Sequence, residues 1–259
     1  MKAESMPNFL KWKSPDQKYI IANGLLAPET KLILFGKWFT WKSMIAMHTA
    51  ITLAAGKPWF GFHTVPVTTY LLQIELPKPK YQERVAKYSI GNNLNQPNCF
   101  FRSEPYIKLD RDYGLNDLIR EMEEIHPQVL IIDPVYKVIS GHLTDEHDIR
   151  EFTDRMDILI AKYKLGLILI HHDRKERLID GQLYQSAEDM FGSSVFLDWC
   201  DTSIRTANTG KDGEIKITFE KVRYAEQEMK PILVQVDRSK LTFSVVTSNI
   251  VTTEEISFR

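Results

Sequence analysis

Short apolar runs alternate along the chain with longer segments in which apolar residues recur every three to four positions. The runs at 32–35, 69–74, 129–132 and 167–170 are continuous and bounded by turn residues, which is typical of strands buried on both faces of a parallel sheet. The segments at 43–55, 80–88, 115–125 and 149–163 show helical spacing. This alternation predicts an α/β fold with a doubly wound, mainly parallel sheet flanked by helices.

The pattern changes after Asp201, where β-rich segments follow one another with charged or Asp-Gly turns between them. They cover residues 214–223, 232–236 and 241–246, and we expect an antiparallel extension at one edge of the sheet. A polar, glycine-containing stretch at 173–190 is the candidate for a functional loop. We expect an N-terminal arm at residues 1–19, one core domain at 20–246 and a short tail at 247–259.

Charge and cysteine content narrow the function classes. The 259 residues include 33 Lys and Arg against 34 Asp and Glu, so any contact with nucleic acid must come from local loops. The two cysteines, Cys99 and Cys200, suggest neither a disulfide framework nor a zinc site. No signal-peptide pattern or bilayer-length apolar run is present in the sequence, so we expect a soluble, cytoplasmic protein without a membrane partner.

The first apolar run turns at Gly36 and enters a helix through Lys42 and Ser43, as in the phosphate-binding P-loop, G-x-x-x-x-G-K-[ST]. In that motif backbone N–H groups surround the phosphates, the lysine reaches the terminal ones and the hydroxyl binds Mg²⁺. Trp41 departs from the motif, because it stands where a second glycine normally gives conformational freedom. The alternative is an ordinary helix start capped by Thr40 or Ser43. The residues predicted to surround a nucleoside triphosphate are Gly36, Lys37, Trp38, Phe39, Thr40, Trp41, Lys42, Ser43 and Met44.

Two carboxylates follow buried runs, at the sheet edge where α/β proteins bind their ligands. Asp133 ends the run at 129–132 and suits a Mg²⁺ site together with Ser43; alternatively, it caps the following turn. Glu75 follows the run at 69–74 and is placed to orient or deprotonate a water that attacks a phosphoanhydride. Acids at strand ends are common, so neither residue is diagnostic alone.

Two further pairs carry candidate chemistry. His171 and His172 end the run at 167–170, and because neighbouring strand positions point to opposite faces, only one of them can face the nucleotide and read its γ-phosphate. Lys221 and Arg223 lie two positions apart, on the same face of a predicted strand. They form either a solvated, salt-bridged face or a pair of cations supplied in trans to the phosphate of a neighbouring subunit.

In order and spacing, these residues resemble the RecA-like P-loop ATPases, most closely the branch of the RepA-type hexameric helicases. The resemblance covers residues 20–236 and rests on Gly36, Lys42, Ser43, Glu75, Asp133, His171, His172, Gly192, Ser193, Ser194, Lys221 and Arg223. It implies that Lys42 and Glu75 are catalytic, that Ser43 and Asp133 bind Mg²⁺, and that one histidine senses the phosphate. It also implies that Lys221 and Arg223 act on an adjacent protomer. Besides Trp41, Phe191 is a departure, since relatives often carry a basic residue there.

The same resemblance suggests a path for DNA. In RecA-like proteins, loops after the third and fourth strands line a central path for single-stranded DNA, and they correspond here to residues 136–148 and 173–190. The implied DNA contacts are Lys137, Arg174, Lys175 and Arg177, whose charge a ring of six subunits would concentrate. Acidic neighbours such as Asp145 and Glu188 offer the opposite interpretation, in which the loops are neutral and merely solvated.

We therefore favour an ATP- and Mg²⁺-dependent motor, a homo-oligomeric ring or filament that acts as a hexameric helicase on single-stranded DNA. A recombinase or strand-annealing ATPase shares this core and stays open as an alternative. Trp41 keeps open a different class, an ATP-gated DNA-binding or regulatory protein with little turnover. A metabolic P-loop kinase fits less well, because the sequence shows no lid or acceptor pocket.

Overall fold

A computed structural model describes residues 3–13, 19–94, 98–104, 106–173, 194–247 and, for the backbone, 177–179 and 182–184. Helices within these residues are α1 (Met6–Phe9), α2 (Lys42–Ala55), α3 (Lys78–Asn92), α4 (Asp112–Ile125), α5 (Glu146–Tyr163) and α6 (Ser194–Trp199). The strands are β1 (Lys31–Gly36), β2 (Thr69–Gln73), β3 (Cys99–Ser103), β4 (Val129–Asp133), β5 (Gly166–His172), β6 (Arg177–Ile179), β7 (Gln182–Tyr184), β8 (Thr202–Asn208), β9 (Glu214–Val222), β10 (Ile232–Asp237) and β11 (Thr242–Thr247).

One sheet dominates the described residues, with the strand order β11-β10-β9-β8-β1-β5-β4-β2-β3. The strands from β8 to β3 in this order are parallel. The strands β9, β10 and β11 continue the sheet in antiparallel pairs beyond β8. The predicted fold class, a mainly parallel sheet with an antiparallel extension at its C-terminal edge, is confirmed.

A hydrophobic core lies on each face of the sheet, which explains why the central strands read as continuous apolar runs. In β1, Leu32 and Leu34 face a core that contains α2, whereas Ile33 and Phe35 face a second core with α4 and α5. Every second side chain of a strand points to the same face, so both sets must be apolar. Within the described residues, no helix combines the length and the apolar character that crossing a membrane would require.

Parallel pairing brings the carboxyl ends of the central strands together along one edge of the sheet, the edge that runs across the strand ends. Gly36 of β1 pairs in register with His172 of β5, and Gln73 of β2 pairs with Asp133 of β4. The loops that follow these strands carry most of the residues predicted to be functional. The fold therefore gathers side chains that are up to about 140 positions apart in the chain at a single edge.

Candidate nucleotide-binding site

A cleft of about 1600 Å³ lies at this edge of the sheet. The P-loop residues 37–44 form part of its lining, together with Glu75, Asp133 and His172. Residues that are remote in sequence complete it, including Arg84 of α3, the segment 141–144 and the turns at 210–213 and 238–241. The cleft is large enough for a nucleotide, whose binding sites measure several hundred Å³ or more.

The P-loop backbone forms an open cradle despite the missing second glycine. Trp41 precedes α2 with φ 65° and ψ 13°, the left-handed conformation that glycine normally supplies. No backbone N–H from Trp38 to Ser43 donates to another backbone group in the described part of the chain, so these amides are left for an anion. Gly36 is required for close approach, because a Cβ there would lie 2.3 Å from the Thr206 carbonyl oxygen.

The indole of Trp41 lines the cleft and is also packed on one side. It lies against the core that contains α2, and the Arg238 guanidinium carbon is 5.6 Å from its ring centroid. Its neighbours in the loop differ, because Trp38 and Phe39 are 72% and 90% exposed. Trp41 therefore combines the backbone geometry of a glycine with the packing of a core residue.

We expect Trp41→Gly to leave ATP affinity within about threefold of wild type while lowering stability by roughly 1–2 kcal/mol. Glycine relieves the left-handed strain, but it also removes the indole from its packing against the core and Arg238. Calorimetric titration with ATP and chemical denaturation measure the two quantities. Trp12→Gly, at an exposed position of the N-terminal arm, is the matched control and should change neither. A much tighter ATP complex in Trp41→Gly would mean that the indole obstructs the cradle.

Lys42 is buried at the start of α2, and its ammonium folds back onto the loop. Its Nζ donates to the Lys37 carbonyl oxygen at 2.6 Å and lies 3.5 Å from Thr40 Oγ1. Burial lowers the pKa of Lys42 to about 8, although the carboxylates of Asp173, Asp133 and Glu75 oppose that shift. A bound phosphate would add a further anionic partner and favour the charged form.

Ser43 and Asp133 meet across α2 and β4, as the Mg²⁺ hypothesis requires. Ser43 Oγ donates to Asp133 Oδ1 at 3.2 Å. Asp133 Oδ2 is buried, and no donor among the described residues reaches it. Burial raises the pKa of Asp133 to about 7. A carboxylate with an unsatisfied oxygen beside a hydroxyl fits a hard cation, and Mg²⁺ takes most of its other ligands from phosphate and water.

Glu75 lies two residues after β2 and reaches the same cleft. Its carboxylate is exposed, and its Oε1 accepts a hydrogen bond of 3.1 Å from the Tyr136 hydroxyl. The charge of Glu75 acts on Lys42, Asp133 and His172, which places it near all three. An exposed carboxylate beside a phosphate cradle is suited to orient or deprotonate water.

The two histidines point to opposite sides of β5, and His172 is the one whose ring faces the cleft. Its centroid is 5.5 Å from the Tyr136 ring and 6.2 Å from the Trp38 ring. Burial, followed by the charge of Lys42, lowers the pKa of His172 to about 4, so its imidazole is neutral at pH 7. His171 is fully buried, and the centroid of its ring is 5.1 Å from that of Phe196, which belongs to the core with α4 and α5.

Comparison with known proteins identifies the family. The family profile described as an AAA domain matches residues 2–177, about two thirds of the chain. The chain belongs to the AAA domain family. Its family and its fold place it among the RecA-like P-loop proteins, so the resemblance stated from its motifs is confirmed. A comparison with curated proteins found no match.

Solved structures share the fold of this AAA domain at low identity. A DnaB-like replicative helicase aligns with a TM-score of 0.66 and 8% identity, over 92% of this chain and 66% of that one. A KaiC-like protein from the hyperthermophilic archaeon Pyrococcus horikoshii aligns with a TM-score of 0.57 and 14% identity, over 87% and 95% of the two chains. The RadB recombinase aligns with a TM-score of 0.59 and 12% identity, over 83% and 90%. At such identities the likeness concerns the fold.

Lys221 and Arg223 lie far from the P-loop of their own AAA domain. Val222 pairs with Thr202 of β8, whereas the P-loop glycine pairs with Thr206, four residues or roughly 13 Å further along the strand. Lys221 Nζ donates to the Leu197 carbonyl oxygen at 2.7 Å, and Arg223 pairs with Asp201 at 3.0 Å. Within one subunit these cations therefore contact the residues just before β8, at the end of this strand opposite the cleft.

The predicted DNA contacts are only partly described. Lys137 is exposed, and its Nζ lies 5.5 Å from the Tyr136 ring centroid. Arg177 begins β6, but its side chain lies outside the described residues, as do Arg174 and Lys175. Gly192 and Ser193, which contributed to the resemblance, also lie outside them.

Several cleft residues were missed from the sequence. Asn208 Nδ2 donates to the Phe39 carbonyl oxygen at 3.4 Å, and Arg238 covers the Trp41 ring. Arg84 lines the cleft from α3, and its charge lowers the pKa of Asp133 against the larger effect of burial. Arg84 had a usable signal, since it lies in the second turn of the helix that follows Glu75. Asn208 and Arg238 had no such signal, because only the tertiary fold brings them near the P-loop.

Proposed function

We propose that this protein is an ATP-hydrolysing motor that acts on single-stranded DNA, as a hexameric helicase of the RepA type. The observation that supports it most is the convergence in one cleft of the P-loop amides, Lys42, the Ser43–Asp133 pair and Glu75. Each of these groups has a separate role in phosphoryl transfer. An ordinary helix start would not require them to meet in one cleft.

The chemistry divides among these groups. The loop amides and Lys42 bind the phosphates and offset charge that develops during bond cleavage. Ser43 and Asp133 would hold Mg²⁺, which supplies Lewis-acid stabilisation of the phosphate oxygens when bound. Glu75 orients the attacking water or accepts its proton. His172 is neutral and faces the cleft, so it suits a hydrogen bond to the γ-phosphate.

Assembly would complete the site. Lys221 and Arg223 cannot serve the cleft of their own subunit at the distance set by β8, and this supports a role in trans in a ring or filament. The segment at 136–148 borders the nucleotide cleft, and its Lys137 is exposed, as a contact with DNA would require. The fold likeness to a protein named as a DnaB-like replicative helicase supports DNA as the partner.

Two alternatives rest on particular observations. The fold likeness to the RadB recombinase supports a recombination or strand-annealing ATPase with the same core. The aromatic Trp41 in the P-loop supports an ATP-gated DNA-binding protein with little turnover, although its left-handed backbone favours an intact phosphate cradle.

ATP hydrolysis with and without single-stranded DNA tests the proposal. We expect DNA to stimulate the rate, and Lys42→Ala to lower it by at least about 10²-fold because phosphate charge is left uncompensated. RNA of the same sequence, and a forked DNA duplex, distinguish the nucleic acid and the unwinding activity. Light scattering with and without a non-hydrolysable ATP analogue measures assembly. Equal, slow hydrolysis by wild type and Lys42→Ala under all conditions would contradict the motor and favour the ATP-gated binder.

A further inference from the structure

Tyr136 lies between the two side chains to which catalytic roles are assigned. Its hydroxyl donates to Glu75 Oε1 at 3.1 Å, and its ring centroid is 5.5 Å from that of His172. Glu75 receives no other side-chain hydrogen bond or ion pair from the described residues. The orientation of an exposed, otherwise unrestrained carboxylate thus depends on a single phenol.

The backbone that carries Tyr136 is held firmly. It belongs to a short 3-10 turn, Val135–Lys137, and the valines on either side, Val135 and Val138, are completely buried. Lys108 Nζ donates to the carbonyl oxygens of Lys137 and Ile139, at 2.9 and 2.8 Å. Because the backbone of Tyr136 is already anchored, its hydroxyl can hold the Glu75 carboxylate in place without first becoming ordered itself.

The hydroxyl is also in the right chemical state. Burial first, and then the charge and hydrogen bond of Glu75, raise the pKa of Tyr136 to about 12. The phenol therefore keeps its proton at neutral pH and acts as the donor in its contact with Glu75. That contact occupies Oε1 and leaves Oε2 of Glu75 for another partner, such as a water.

We propose that Tyr136 is a positioning residue that holds the Glu75 carboxylate for attack of water on ATP and supports the ring of His172. This inference rests on the proposed function of the cleft. Tyr136 does not touch the reacting atoms but acts through Glu75. Activation of water requires a precisely placed carboxylate. Loss of the contact with Tyr136 should therefore lower the rate of the chemical step and leave ATP binding unchanged.

Tyr136→Phe tests the proposal, since it removes the hydroxyl and keeps the ring. We expect kcat to fall about tenfold while KM and the calorimetric Kd for ATP stay within about twofold. In a Glu75→Gln background the same substitution should cause no further loss in single-turnover rate, because the two residues act as a unit. Crystal structures should show Glu75 in one rotamer in wild type and in several in Tyr136→Phe.

Tyr163→Phe is the matched control, because the Tyr163 hydroxyl donates to Glu123 at 3.0 Å far from the cleft. It should leave kcat, KM and the melting temperature unchanged. If the wild-type protein hydrolysed ATP and Tyr136→Phe were equally active, the role of Tyr136 would be overturned but the proposed function would stand. Additive losses in the double variant would have the same meaning. A wild-type protein that hydrolyses no ATP would overturn both this role and the proposed function. A purely structural tyrosine would lower the melting temperature and give additive losses.

Discussion

Glu75→Gln should lower kcat for ATP hydrolysis by about 10³-fold and leave ATP affinity within about twofold of wild type. The amide keeps the size and the hydrogen-bond acceptor of the carboxylate, so the contact with Tyr136 survives. It cannot accept a proton or hold water with a full negative charge. In the proposed mechanism Glu75 serves the chemical step, whereas the loop amides and Lys42 serve binding, so the expected loss falls on the chemical step.

Single-turnover hydrolysis with calorimetric titration of ATP separates the two effects. Glu83→Gln is the matched control, because Glu83 lies on α3 near the cleft but pairs only with exposed Lys80 among the described residues. It should retain the wild-type rate. If Glu75→Gln hydrolysed ATP at a rate similar to wild type, the base would have to be another group, and the assignment of Glu75 would be wrong.

The sequence predicts β1, β2, β4 and β5 well because these strands are covered on both faces by apolar residues. β8 was missed for the opposite reason. It is parallel to β1 at the middle of the sheet, but its residues are largely polar. Buried Arg205 is accommodated through Glu220 at 3.0 Å and Asp173 at 3.5 Å, and its guanidinium lies 4.9 Å from the Phe35 ring centroid. Such partners are distant in sequence, so no local pattern could reveal that this strand is internal.

The candidate site shows the same division. Gly36, Lys42 and Ser43 form one contiguous motif, and Asp133 and Glu75 follow recognisable strands, so their meeting at one edge could be predicted from strand direction. The sequence could not reveal how Trp41 replaces a glycine, because the answer is a left-handed backbone stabilised by packing on residues such as Arg238. Nor could it reveal Tyr136, whose role depends on the turn that follows β4.

The placement of Lys221 and Arg223 has a consequence for assembly. The parallel strand β8 has its carboxyl end beside the P-loop and its amino end beside these two cations. The candidate nucleotide site and this positive charge therefore lie at opposite ends of β8. Two copies stacked head to tail would bring the charge of one to the phosphate of the next, and repetition gives a ring or a filament.

Arg223→Ala should therefore lower the hydrolysis rate by about 10³-fold, because a cation in trans stabilises the charge of the transition state. The decisive measurement mixes this variant with Glu75→Gln, each nearly inactive alone. At a one-to-one ratio with random assembly, about a quarter of the interfaces combine an intact Glu75 with an intact Arg223 from the neighbour, and activity should return in that proportion.

Arg223 also pairs with buried Asp201, so its loss could act through folding instead. Arg223→Lys separates the roles, since it keeps a charge near Asp201 but loses the planar fork that contacts phosphate oxygens. We expect it to restore the melting temperature but not the rate. Lys216→Ala removes an exposed cation on β9, the strand that ends just before Arg223, and should behave as wild type. If the mixture recovered no activity, Arg223 would not act on a neighbouring subunit. Because β8 keeps it away from the phosphates of its own subunit, its remaining role would be to stabilise Asp201.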